Sequence, residues 1–403
     1  MKIAGIVAEY NPYHNGHLYL TEQLRKQGAT HIAAVMSGHL VQRGEVSLFS
    51  KWARAEAALK NGVDLVIELP SLYAALSAER FAAAAVALFD KMGCVDWLGF
   101  GSEAGNAALL WQTARACSSP KADAFIRMEL AKGVSYAAAR QTALEQFGGR
   151  EAAAVLSQPN NILAVEYCKA LQRFGSFIRP VTVERVGAGH DSAAASQAIA
   201  SASLLRGKIC NGNQFQAYVP ISAWEIYTAE LEKGLAPCRM ERLETSLLFQ
   251  LRKLSPQEFA ALPDVSEGLE LRLFRAAQAA CSLEEFYALA KTKRYAHARL
   301  RRIALYAVLG IGKRDLMIEP PYLRILGMNA KGMEIAARMK ETARLPYGTS
   351  LAKLSRKGGG RVAELEVQAG NLFALGIPKT LPAGLDYTAE AVILKDKPAL
   401  CLL

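Results

Sequence analysis

The first seventeen residues, Met1 to His17, constrain this chain more than any other stretch. Ile3 to Ala8 is an apolar, β-prone run, Asn11-Pro12 and Asn15-Gly16 form a turn cluster, and a helix-compatible segment starts at Leu18. The order is strand, glycine turn, helix start. His14 and His17 bracket the turn, with Gly16 between them where backbone must approach something closely. A helix N-terminus offers free N–H groups and partial positive charge, and imidazoles add directed donors that can follow charge growing on a phosphorus centre. The physical reading is a nucleotide-phosphate site; two histidines three apart are also compatible with metal ligation or with a plain surface.

Downstream, apolar runs and helical patterns alternate. Strands are expected at His31–Met36, Val63–Leu69, Cys94–Phe100 and Ile178–Arg185, with helices at Lys51–Lys60 and Ala78–Lys91. Near-continuous apolar strands belong to a sheet covered on both faces, so the expectation is a parallel, Rossmann-like α/β domain with right-handed crossovers. Ligands in such sheets sit beyond the carboxyl ends of the strands, which brings the turns at His14–His17, Ser37–Glu45 and Gly101–Glu103 to one crevice.

Asn161 precedes a helical pattern from Ile162, so it reads either as an N-cap or as an amide that recognises a base or ribose. Ser201-Ala-Ser-Leu-Leu-Arg206 reads as a helix start and, alternatively, as a second phosphate cradle. Beyond Asn211 helical spacing dominates. The expected division is an α/β catalytic domain at 1–210 and a mainly helical, basic domain at 211–403.

Lys and Arg outnumber Asp and Glu by 48 to 37, a net charge of +11 that favours a polyanionic partner. The densest basic run, residues 291–302, carries Lys291, Lys293, Arg294, Arg299, Arg301 and Arg302, one Tyr and no acid. That suits a phosphate backbone and a stacked base, although charge runs also serve as solvated helix faces. The seven cysteines are scattered without a Cys-x-x-Cys pair, so free thiols are expected and no zinc site is implied. No signal-peptide layout or membrane-length apolar run is visible, and a cytoplasmic protein without membrane contact is expected.

The order His-x-Gly-His after a first strand resembles the signature of the nucleotidyltransferase superfamily. Longer motifs narrow this: GIVAEYNPYHNGH at 5–17, VMSGHLVQRGE at 35–45, KWARAEAALKNGVDLVIELP at 51–70, FGSEAG at 100–105, SQPNNILAVEY at 157–167, KTKRYAHARLRR at 291–302 and PPYLRILGMNAKG at 320–332. In that order they resemble the bacterial tRNA(Met) cytidine acetate ligase family. Tyr13 stands where Phe is usual, His39-Leu40 where Asn-Phe is usual, and Ser50 where Asp is usual; a catalytic role at position 39 is therefore not carried over.

The resemblance implies an enzyme that uses ATP and acetate, by way of acetyladenylate, to acetylate the exocyclic amine of the wobble cytidine of elongator tRNA(Met). It implies catalytic roles for His14 and His17. The implied ATP site is Val7, Ala8, Glu9, Tyr10, Asn11, Pro12, Tyr13, His14, Asn15, Gly16, His17, Leu18, Tyr19 and Leu20, completed by Gly101, Asn161 and Arg185, with Mg²⁺ expected at the β- and γ-phosphates. The basic run is assigned to tRNA. Two rivals stay open: a small-molecule adenylyl- or cytidylyltransferase, and a non-catalytic tRNA-binding protein. No general base for the cytidine amine is assigned; Glu9, Glu103 and His39 all lie near the right turns.

Overall fold

The computed structural model describes residues 1–185, 199–266, 268–292 and 295–395. Ten strands occur among them: β1 (Ile3–Ala8), β2 (His31–Ser37), β3 (Leu40–Val41), β4 (Glu45–Val46), β5 (Leu65–Leu69), β6 (Trp97–Ser102), β7 (Arg179–Glu184), β8 (Leu323–Met328), β9 (Tyr347–Gly348) and β10 (Val392–Ile393). The main sheet runs β10-β8-β5-β2-β1-β6-β7, with β9 on β8, while β3 and β4 form a separate hairpin. Every residue of β2 and β5 is buried, Glu68 of β5 included, as expected of near-continuous apolar strands covered on both faces. β1 pairs in parallel with β2 on one side and β6 on the other. The chain therefore leaves β1 in opposite directions, and the crevice at that reversal lies beyond the ends of β1 and β6.

The five strands expected from sequence are present, the helix Lys51–Lys60 has the expected ends, and the helix expected at Ala78–Lys91 runs one residue further, to Met92. Two features differ. The first helix begins at Asn15 rather than Leu18, because a histidine caps it. The residues beyond 210, expected to be mainly helical, also return three strands to the sheet, and β8 runs antiparallel to β5. An antiparallel strand at the side of a parallel sheet needs no crossover helix, so helical patterning does not announce it.

A buried ionic cluster holds that return in place. The Lys51 ammonium, at the start of its helix, lies 2.5 Å from Glu68 on β5, 2.7 Å from Glu366 in the helix Gly360–Gly376, and 2.5 Å from Asp386 in the short helix Leu385–Thr388. Arg324 on β8 donates to Glu68 Oε2 at 3.1 Å and also to Asp386. Three carboxylates thus meet two cations out of water. Burial, then the charge of Glu68, pushes the Glu366 carboxyl up to about 7, so of the three it is the carboxyl that takes up a proton most readily.

Replacing Lys51 by Met leaves the carboxylates without their central cation. We expect Lys51→Met to cost about 3–5 kcal/mol in urea unfolding. A loss below about 1 kcal/mol would contradict this account of the cluster.

Candidate active site

The turn after β1 ends in a reciprocal cap. His14 is extended (φ −145°) and its Nδ1 accepts the Gly16 N–H at 3.1 Å, while His17 Nδ1 accepts the His14 N–H at 3.2 Å. Both donors are backbone amides, so both Nδ1 atoms must be lone pairs. A neutral ring then carries its proton on Nε2. The rings lie against each other, centroids 3.8 Å apart and planes 30° apart. A Cβ at residue 16 would stand 2.9 Å from His14 Cε1, so only glycine lets the ring fold back onto the turn.

Charging these rings is disfavoured. Burial, then Arg185, pushes His14 down to about 4. Burial, then His14 and Arg185, holds His17 well below the usual histidine range. The pair consists of neutral Nε2–H donors at a helix start.

Beneath the pair the turn is tightly fixed. Tyr13 donates its N–H to Tyr227 Oη at 2.8 Å and its hydroxyl to Asn61 O at 3.1 Å. Asn11 Oδ1 accepts the Leu48 N–H at 2.9 Å, and Asn15 Nδ2 donates to Ala217 O at 3.1 Å. Tyr10 packs edge-on against His17, centroids 4.9 Å apart. The expected stretch therefore divides: Glu9, His14, Gly16, His17, Tyr19 and Leu20 line the cleft, whereas Tyr13 and Asn15 are buried and Leu18 packs against the core.

Across the cleft stand Gly101 at the end of β6 and Arg185 just past β7, whose N–H donates to Ser102 O at 3.1 Å. A Cβ at residue 101 would lie 3.2 Å from Arg185 Cγ, so the bare glycine leaves the arginine its path over the strand end. Two more helices begin here, Pro159–Phe174 and Ala202–Cys210. Three helix N-termini and the guanidinium groups of Arg43, Arg185 and Arg206 face one space. The field favours a polyanion.

Ser201–Arg206, read from sequence as a helix start or a cradle, is both a helix start and part of this wall. Arg43 was not singled out; only its place in the turn after β2 hinted at it. Of the two readings of Asn161, the N-cap one fails, because Pro159 opens the helix two residues earlier and Gln158 holds the cap position. Its Oδ1 accepts the Ala104 N–H at 3.0 Å, so it fixes the loop after β6 while Asn160 lines the cleft.

His39 is fully buried, stacked on Phe373 at 4.5 Å beside the Lys51 cluster. Burial, then Lys51, keeps it uncharged. His39, Glu366 and Asp386 bring potential ligand atoms within 4.8 Å of one another, but the Lys51 ammonium already sits on both carboxylates. Position 39 belongs to the packing behind the cleft.

The basic run becomes the start of the helix His297–Leu309. Lys291 is exposed, and Lys293 and Arg294 lie outside the described residues. The run has no acid in sequence, yet in space Arg301 meets Glu45 at 2.5 Å and Arg302 meets Asp264 at 2.9 Å. Arg299 donates to Asp264 O at 2.8 Å and lies 4.6 Å over the Tyr295 ring. The turn between β3 and β4 touches the same helix: Gly44 has φ +77°, and a Cβ there would be 2.5 Å from Arg302 N. Glu45 also faces Arg206 at 3.9 Å, so one carboxylate stands between the cleft and the basic helix.

Comparisons with known proteins show the family and the fold. The HIGH Nucleotidyl Transferase family model matches residues 1–384. The tRNA(Met) cytidine acetate ligase of Acetivibrio thermocellus is 35% identical over 98% of this chain and 100% of its own length. That of Halothermothrix orenii is 38% identical over 87% of each chain. The crystal structure of apo Thermotoga maritima TmcAL superposes with a TM-score of 0.91 at 33% identity, covering 98% of this chain and all of that one. A second form of that protein, bound with alpha-thio ATP, gives the same score at 32% identity. The chain belongs to the tRNA(Met) cytidine acetate ligase family, within the HIGH nucleotidyl transferases.

Proposed function

We propose that this protein is an ATP-dependent acetate ligase that forms N4-acetylcytidine at the wobble position of elongator tRNA(Met) through acetyladenylate. The observation that carries the reading is the His14–His17 pair, fixed as two neutral donors where three helix N-termini and three arginines meet. Relatives named for the same reaction over the full chain support it. A cytoplasmic setting, where tRNA is made and used in bacteria, goes with this reading. In this division of labour residues 1–210 hold ATP, and the basic run in the part beyond 210 holds the RNA backbone.

Acetate is a poor acyl donor, and the cytidine amine is a poor nucleophile because its lone pair is delocalised into the ring. Activation must come first. An acetate oxygen attacks the α-phosphorus, the bond to the β-phosphate breaks, and pyrophosphate leaves with the electron pair. Negative charge grows on the non-bridging oxygens, where the two Nε2–H groups and the helix N-terminus donate without reorganising. Arg185, Arg206 and Arg43 offset the charge of the triphosphate. Mg²⁺, when bound, would be carried by the phosphates with Glu184 as the carboxylate on the cleft wall, since Glu45 is already paired with Arg301 and Arg206, and would neutralise phosphate charge.

His14→Ala and His17→Ala should each slow acetate-dependent ATP–pyrophosphate exchange by on the order of 10²-fold or more. Exchange at the unaltered rate would remove them from the mechanism. Lys291→Glu should weaken tRNA binding and lower the slope of log affinity against log salt by about one; an unchanged slope would take the basic run out of RNA binding. Labelled acetate should appear in cytidine after nuclease digestion of the tRNA, with ATP and without acetyl-CoA. Pyrophosphate release without labelled RNA would mean a different acceptor.

A further inference from the structure

The cleft continues past His17 toward β1 and β6 and changes character. A second cavity shares the wall of Glu9, His17, Arg43, Gly101 and Arg185 with the first, but its far side is Phe81, Phe100, Leu163 and Tyr167. The Phe100 and Tyr167 rings stand 5.7 Å apart. Aromatic and aliphatic walls suit a flat heterocycle and are wrong for a triphosphate.

Glu9 stands on the shared wall. Its Oε1 accepts the Gln42 N–H at 2.8 Å, and no other hydrogen bond reaches the carboxylate among the described residues. Its backbone carbonyl is held at 2.5 Å by Arg54, a buried residue of the helix Lys51–Lys60. Asn11, on the same lining, accepts the Leu48 N–H at Oδ1 and leaves Nδ2 buried without a partner among the described residues. An acceptor and a donor on one lining match the needs of cytosine, whose exocyclic amine donates and whose ring N3 accepts.

We propose that this inner cavity receives the acceptor cytosine, and that Glu9 accepts the amine N–H and takes its proton as the acetyl group is transferred. The proposal rests on the acetate-ligase reading. N4 attacks the acetyl carbonyl carbon and a C–N bond forms. The C–O bond to the α-phosphate then breaks, and its electron pair leaves on AMP. The N4 proton passes to Glu9 and from there to solvent. The wall shared with the phosphate side puts Glu9 where the anhydride forms.

The surroundings suit a base. Burial raises Glu9 from the ordinary carboxylate range, opposed by the Gln42 N–H and by the charges of Arg206, Arg54 and Arg43. Tyr167 faces it electrostatically from the helix Pro159–Phe174, and His17 and Arg185 share its wall. The cavity is also reachable. Gln42 and Arg43 line it, and the next residue, Gly44, packs on the backbone of Arg301 and Arg302. RNA backbone held on the basic helix is one hairpin turn from the mouth, and loop nucleotides can be splayed out of their stack.

Two variants test this with preformed acetyladenylate, an anticodon stem-loop RNA and ATP–pyrophosphate exchange. Glu9→Gln should slow transfer by about 10²-fold more than it slows exchange. It should also abolish the fall in single-turnover transfer rate as pH drops through the raised Glu9 range. Leu163→Trp should raise the KM for RNA at least about tenfold more than the KM for ATP. Equal losses in both half-reactions, or a retained acidic limb in Glu9→Gln, would overturn the role of Glu9. A rise mainly in the KM for ATP with Leu163→Trp would make the cavity the adenine seat and overturn the assignment. If the unaltered protein supports neither exchange nor transfer, the ligase reading itself falls.

Discussion

Two backbone N–H groups at the start of the helix Asn15–Lys26 govern the chemistry of the cleft. One occupies His14 Nδ1 and the other His17 Nδ1. Protonating either ring at Nδ1 would break its cap, so local structure and burial both resist it. The cleft therefore divides its electrostatic work. Arginines and helix termini supply fixed positive potential, and the imidazoles supply directed donors that carry no charge of their own to be screened by bound nucleotide.

That arrangement stays in place because the helix Lys51–Lys60 is anchored from both sides. Its first residue sits in the Lys51–Glu68–Glu366–Asp386 cluster, tying β5, β8 and the helix Gly360–Gly376 together. One turn on, Arg54 donates to the carbonyls of Phe49, Gly38 and Glu9. The turns after β1 and β2 thus hang from a helix whose own start is an ion pair formed out of water. Such clusters give little net stability over apolar packing but penalise loss of any one member heavily. Here they fix where Glu9 and the two histidines stand relative to the sheet.

Much of this is legible in sequence. Apolar runs mark β1, β2, β5, β6 and β7, and the glycine between two histidines marks the turn, because both signals are local. What escapes is non-local or atypical. Histidine is an unusual cap, so the helix start is displaced by three residues. Lys51 and Asp386 are 335 residues apart, and each taken alone is an ordinary surface-type residue. The basic run lacks acids nearby in the chain, yet Glu45 and Asp264 reach it through folding. The apolar side of the inner cavity is drawn from three separate helices and strands, none of which looks exceptional in isolation.

The central claim is that His14 and His17 are held as neutral rings with the proton on Nε2. Nitrogen-15 NMR of the histidine side chains, assigned through His14→Asn and His17→Asn, reads this directly. The account requires both rings to be neutral Nε2–H tautomers near pH 7 and to stay neutral below the ordinary histidine value of 6.5, with their Nε2 signals moving when a non-hydrolysable ATP analogue is added. A charged ring near neutral pH, or a proton on Nδ1 of either residue, would contradict it.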